Sequence, residues 1–210
     1  MDSIVSKMTP LSNLNNKQLE AVTHKEGPLL ITAGAGSGKT KTLTSRIIHL
    51  IKSGIKPENI LAITFTNKAA NEMKKRIEEN CFVGTFHSFG AKILRQEHKR
   101  FQRTGNFTIF DEDDSMSLLK QALKNLNFSK DKYNPIIIKH QISKIKSELL
   151  EVDRNTADGA IFEEYELILR KNNAFDFDDL IGKPVQLFSS EKDILKKYQN
   201  KYRYILVDEY

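Results

Sequence analysis

Ala33-Gly34-Ala35-Gly36-Ser37-Gly38-Lys39-Thr40 joins a short apolar run, Leu29 to Ala33, to a segment of helical periodicity that starts at Lys39. The run follows the Gly27-Pro28 break and reads as a buried strand. A glycine-rich turn from strand to helix has the form of a phosphate loop. Its glycines let the backbone curl so that successive N–H groups converge on an anion, and the helix start adds positive potential. Lys39 places a point charge on the β and γ phosphates of a nucleotide, and Thr40 offers a hydroxyl to Mg²⁺. Ala33, Gly34, Ala35, Gly36, Ser37, Gly38, Lys39, Thr40 and the following Lys41 form the expected ATP-binding stretch. Ala33 stands where the usual pattern has its first glycine, and the other positions fit.

Outward from this loop, strand and helix patterns alternate. A helix is predicted over Leu14 to His24, capped by Ser12 or Asn13, and another over Lys39 to Ser53, with Leu43, Ile47, Leu50 and Ile51 inward and Gly54 and Pro57 closing it. Ile60 to Thr64 reads as a strand. Thr66 caps a helix over Asn67 to Glu79, on which Ala70, Met73 and Ile77 recur, and Cys81 to Thr85 is a further strand. Such alternation predicts an α/β fold with a parallel sheet and right-handed crossovers. From about His87 the pattern becomes helical and charged. Met116, Leu119, Leu123 and Leu126 mark one helix behind an Asp111 cap, and Ile138, Ile142, Ile145 and Leu149 another after Pro135. The sheet pattern resumes at Tyr204 to Val207, which delivers Asp208 and Glu209 at its end.

A phosphate loop needs a carboxylate on a neighbouring strand to hold Mg²⁺, and Asp208 has the right setting. Glu209, one residue on, is placed to orient and deprotonate an attacking water. Lys39, Asp208 and Glu209 are therefore the expected catalytic set, with Thr40 and Asp208 as metal ligands.

Composition narrows the function classes. A chain of 210 residues that is 39% hydrophobic can bury a sizeable core. The net charge of +6 suits a polyanionic partner, although a lysine-rich sequence with solvated faces would show it too. The single cysteine, Cys81, has no internal disulfide partner and reads as a small packed thiol. Met1 to Asn16 lacks the pattern of a secretory leader, and no stretch nears the roughly 18 apolar residues of a membrane span, so a cytoplasmic protein is expected.

Five stretches in order resemble the motifs of the superfamily 1 UvrD, Rep and PcrA helicases. Besides the phosphate loop these are Leu14 to Val22, Ile63 to Ala70, Gly84 to Ser88, Phe175 to Leu180 and Val207 to Tyr210. The resemblance implies a RecA-like domain over 1–88 and 175–210 that binds ATP and Mg²⁺, with a helical insert over 89–174. It implies translocation on single-stranded DNA and unwinding from duplex junctions, with 3′ to 5′ polarity and a role in repair or replication restart. It also implies a second RecA-like domain in the parent, so that residues 1–210 alone are expected to bind ATP and DNA without efficient turnover. A non-enzymatic nucleotide- and DNA-binding module is the alternative, and a phosphate-loop kinase a more distant one.

By the same resemblance Gln18 reads adenine, and Thr64, Phe65, Thr66, Asn67, Lys68, Thr85, Phe86 and His87 contact single-stranded DNA. The chemistry agrees. An amide both donates and accepts, as an adenine edge requires. An exposed aromatic ring stacks on any base, and hydroxyls, amides and a cation at a helix start suit phosphates. Taken by residue type alone, Phe65 would more often be a core aromatic and His87 a structural histidine. Asp176, Asp178 and Asp179 read as helix caps and dipole partners more readily than as metal ligands.

Overall fold

A computed structural model describes residues 11–77, 79–129 and 132–209. Tyr210 and most of the Met1 to Asn16 stretch lie outside the described residues, as does the side chain of Ser12. In chain order the elements are α1 (Asn16–Thr23), α2 (Lys39–Lys52), β1 (Ile60–Thr64), α3 (Asn67–Arg76), β2 (Phe82–Thr85), α4 (Phe86–Gln96), β3 (Thr108–Phe110), α5 (Glu112–Asn125), α6 (Pro135–Glu148), α7 (Ala157–Lys171), β4 (Ala174–Asp176), α8 (Asp179–Ser190), α9 (Lys192–Lys201) and β5 (Tyr204–Val207). They fall into two compact units, Met1–Phe86 with Lys196–Tyr210, and His87–Leu195.

In the first unit a parallel sheet runs in the order β2-β1-β5. Every residue of β1 is buried, as expected of a central strand that reads as one apolar run. Ile47 and Leu50 of α2, Met73 of α3, Val83 of β2 and Leu206 of β5 close a core around Ile60 and Ala62. The α/β pattern read from the sequence is therefore present, with local differences. Asn15, in place of Ser12 or Asn13, caps α1. Its side chain accepts from the Gln18 N–H and the Gln18 side chain accepts from the Asn15 N–H, so the helix starts later than periodicity suggested.

The larger correction concerns Leu29 to Ala33, which is not a strand; Leu30 is 72% exposed. A strand exists by hydrogen bonding to a neighbour, and no strand among the described residues pairs with this run. Apolar composition set the expectation, and pairing decides the outcome.

The second unit is mainly helical. Leu119 and Leu123 of α5, Ile142 of α6 and Ile161, Tyr165 and Leu169 of α7 interlock in one core. As the sequence suggested, Asp111 caps α5, here in a capping box with Asp114, and Pro135 opens α6 behind an Asn134 cap. Two short strands went unread, β3 and β4, which pair in parallel with Ile109 opposite Phe175. They place Phe175 and Asp176 inside this unit, which extends to Leu195. Close helix crossings hold α8 here. A Cβ at Gly90 of α4 would lie 1.7 Å from the Leu180 carbonyl oxygen, and one at Gly182 would lie 2.7 Å from that of Lys146. Among the described residues no helix is long and apolar enough to cross a membrane.

Candidate functional site

In the first unit the candidate residues gather where strands end. Thr64 lies opposite Thr85 at the carboxyl ends of β1 and β2, and Asp208 continues β5 by donating its N–H to the Ile63 carbonyl at 2.8 Å. Parallel strands put successive loops on the same edge, where α/β sheets bind ligands.

The glycine-rich turn meets this edge. Gly36 and Gly38 are left-handed (φ 73° and 86°), a conformation that costs side-chain-bearing residues. Gly38 caps α2 without a side chain, so no side chain competes for the first amides of the helix. Ser37 closes the turn, its N–H and hydroxyl both donating to the Gly34 carbonyl. Lys39 Nζ donates to the carbonyls of Ala33 at 2.8 Å and Gly34 at 3.0 Å. The ammonium is thus folded onto the loop that would surround the phosphates.

Thr40 Oγ1 donates to Asp208 Oδ2 at 3.2 Å, across 168 residues of sequence. One hydroxyl and one carboxylate suit Mg²⁺, which keeps several waters and phosphate oxygens and needs few protein ligands. Among the described residues no group of three or more His, Cys, Asp or Glu side chains makes a dedicated metal cage. Glu209 is exposed and left-handed (φ 62°), an uncommon conformation outside glycine.

Gln18 and Lys41 tie the loop to the preceding segment. Gln18 Nε2 donates to the Ser37 carbonyl at 3.0 Å while its Oε1 accepts from Asn15, and Lys41 Nζ donates to the Asn13 carbonyl at 2.7 Å. Gln18, expected to read adenine, therefore also braces the glycine-rich turn.

The residues expected to meet DNA divide by burial. Phe65 is 74% exposed, Thr66, Asn67 and Lys68 are exposed at the start of α3, and Phe86 is exposed after β2. Thr66 also caps α3, accepting from the Ala69 N–H. Thr64 and Thr85, by contrast, are buried. The Thr64 hydroxyl has no hydrogen-bond partner among the described residues. Burial pushes the Cys81 thiol up, in keeping with a packed side chain.

In the second unit His87 is exposed near the start of α4, its ring 5.4 Å from that of Phe177. The Phe175 to Leu180 stretch holds what the sequence reading missed. Asp176 and Asp179 are buried against Lys146 of α6, whose Nζ donates to Asp176 Oδ2 at 2.7 Å and Asp179 Oδ1 at 3.0 Å and lies 2.6 Å from Glu166 Oε1. Burial opposes the Lys146 charge, yet Asp179, Glu166 and Asp176 outweigh it and hold the ammonium well above its ordinary range. Burial, reinforced by Glu166 and Asp176, pushes Asp179 up to about 7 despite Lys146. Against burial, Lys146 and Lys183 bring Glu166 down to about 2. Nothing at sequence level pairs Lys146 with carboxylates thirty residues downstream, because its helical stripe is set by Ile138, Ile142 and Ile145.

The family model described as UvrD/REP helicase N-terminal domain matches residues 14–210. The ATP-dependent DNA helicase PcrA of Staphylococcus aureus is 43% identical over 217 residues, covering 95% of this chain and 30% of that protein. A probable DNA helicase II homolog of Rickettsia conorii is 44% identical over 218 residues, covering 95% of this chain and 33% of its own length. The chain thus spans about a third of the length of the curated relatives it matches. A match over nearly the whole chain establishes that the chain belongs to the UvrD/REP helicase family and corresponds to its N-terminal domain.

Proposed function

We propose that the chain is the nucleotide-binding and DNA-gripping part of an ATP-driven DNA helicase, in which hydrolysis drives movement along single-stranded DNA and unwinding of duplex. The observation that carries this reading is the 3.2 Å bond from Thr40 to Asp208, which joins the phosphate loop to the acidic strand end. In this reading the first unit is a RecA-like domain and the second an insert within it, with 3′ to 5′ polarity carried over from the family.

Each residue then has a defined task. Lys39 leaves the Ala33 and Gly34 carbonyls to neutralise phosphate charge, a short movement for a flexible amine. Thr40 and Asp208 would hold Mg²⁺, and Glu209 would orient the attacking water. Bound ATP with Mg²⁺ supplies the free energy of phosphoryl transfer. Gln18 contacts adenine and, through Ser37, braces the loop. Phe65 and Phe86 offer stacking faces, Thr66, Asn67 and Lys68 contact phosphates, and His87 adds a contact from α4. Buried Thr64 and Thr85 set the strand ends from which these residues project.

Substitution Lys39→Ala tests the site. Titration with a fluorescent ATP analogue in Mg²⁺ should show affinity lower by at least about tenfold, since a charge-assisted contact to phosphate is lost. The thermal midpoint should hold, because among the described residues Lys39 bonds to its own exposed loop. Unchanged nucleotide affinity would remove the phosphate-loop assignment.

A further inference from the structure

The turn Asp176-Phe177-Asp178-Asp179 in the second unit is held from one side by a single stripe of α6. Lys139, Ser143 and Lys146, spaced four and three residues apart, share a helix face. Lys146 Nζ takes Asp176 and Asp179, Ser143 Oγ donates to Asp178 Oδ1 at 3.0 Å, and Lys139 Nζ lies 3.6 Å from Asp178 Oδ2. The turn is also closed on itself, since the Asp179 N–H donates to Asp176 Oδ1 at 2.9 Å and the Asp176 N–H to Asp179 Oδ2 at 3.3 Å. From α7, Tyr165 donates its hydroxyl to Asp176 Oδ2 at 2.8 Å and Glu166 contacts Lys146. Of the four turn residues only Phe177 is exposed, at 53%, and its ring meets His87 at 5.4 Å.

We propose that Lys146 is a positioning residue for DNA binding. By drawing the carboxylates of β4 and α8 onto one buried ammonium, it fixes the turn that props Phe177 against His87. The inference rests on the reading of His87 as a DNA contact. Its physical basis is the choice of residue types. Apolar side chains of similar volume often fill such a space with no loss of stability, whereas a charged cluster has few sets of distances that satisfy every member. That specificity falls on a turn whose exposed Phe177 lies beside a candidate ligand contact. An aromatic neighbour held at a fixed distance confines the His87 ring, which would otherwise lose rotamer freedom on meeting a strand.

The test uses the full chain with ¹³C-labelled histidine, in wild type and in the Lys146→Met, Ser143→Ala and Phe177→Ala variants. Phe177→Ala gives the His87 ring resonances with the ring-current shift of Phe177 removed. Lys146→Met should move the His87 resonances toward those values and weaken binding of a fluorescent oligothymidylate by about tenfold, the order of one lost ring contact. Binding of an ATP analogue at the first unit should be unchanged, an outcome that general unfolding would not give. Where Lys146→Met fails to fold, Ser143→Ala decides, because it removes one bond to Asp178 and bares no buried charge; it should shift His87 in the same direction by less. Folded variants that keep the wild-type His87 resonances and oligonucleotide affinity overturn the proposal. A wild type that binds no oligonucleotide overturns the DNA reading itself, and the His87 resonances then show separately whether Lys146 holds the turn.

Discussion

Phe65 leaves 74% of its surface to water directly after a strand whose five residues are all buried. A large ring in that place adds little to folding, because most of its apolar surface stays wet. It does offer a flat face at the sheet edge that also carries Asp208. Phe65→Ala should therefore weaken single-strand binding by about 1–3 kcal/mol if one base stacks there. The melting temperature should stay within about a degree of wild type, as surface substitutions away from special features usually do little. Oligonucleotide titration beside a thermal melt checks both. A variant that melts far lower, with DNA affinity untouched, would put Phe65 in the core. At this scale the sequence could name residues and not their surroundings. Thr64 and Thr66 have the same side chain, yet β1, buried along its whole length, encloses the first while the second caps α3 in solvent.

The Lys146 cluster spans α6, α7, β4 and α8 and makes the stability of these elements depend on pH. Asp179 lies at about 7 in the fold against an ordinary value of 3.8, so the folded state binds more protons between those limits. Its contribution to stability is present at acid pH and lost as pH rises through 7. Glu166, at about 2, behaves in the opposite sense, and its contribution is lost only as pH falls below its ordinary 4.5. Lys146 stays charged throughout. Amide hydrogen exchange of Ala174–Asp176, corrected for intrinsic rates, should thus show protection falling from pH 5 to pH 8. Asp179→Asn should flatten that slope. A wild type whose protection rises over the interval, or a variant that keeps the fall, would refute the assignment. Elements were legible where local signals agreed. Periodicity and an Asp111 cap marked α5, and Pro135 marked the start of α6. They were illegible where pairing decides. Strands β3 and β4 are three residues each, too short for a period, and Leu29 to Ala33 has the composition of a strand without a partner.

Over the whole chain, 33 basic residues face 27 acidic ones, and the excess of six is small for a protein proposed to hold a polyanion. Several of those charges are also spent internally, as Lys146 and Lys183 are on Glu166. Net charge is therefore a poor measure of DNA affinity here, and the relevant number is how many cations meet phosphates. That number can be measured, because log K falls linearly with log salt at a slope of about −0.7 per phosphate neutralised on a single strand. Lys68, exposed in the first turn of α3 beside Phe65, is such a cation, whereas the Phe65 ring carries no charge. Lys68→Ala should make the slope shallower by about 0.7, while Phe65→Ala should lower affinity at every salt concentration and leave the slope unchanged. Titrations of one oligothymidylate from low to moderate salt, on wild type and both variants, separate the two contributions. Parallel lines for all three proteins would mean that Lys68 meets no phosphate. A salt-independent wild type would show that backbone charge contributes nothing, and the sheet edge would lose its standing as a DNA-binding surface.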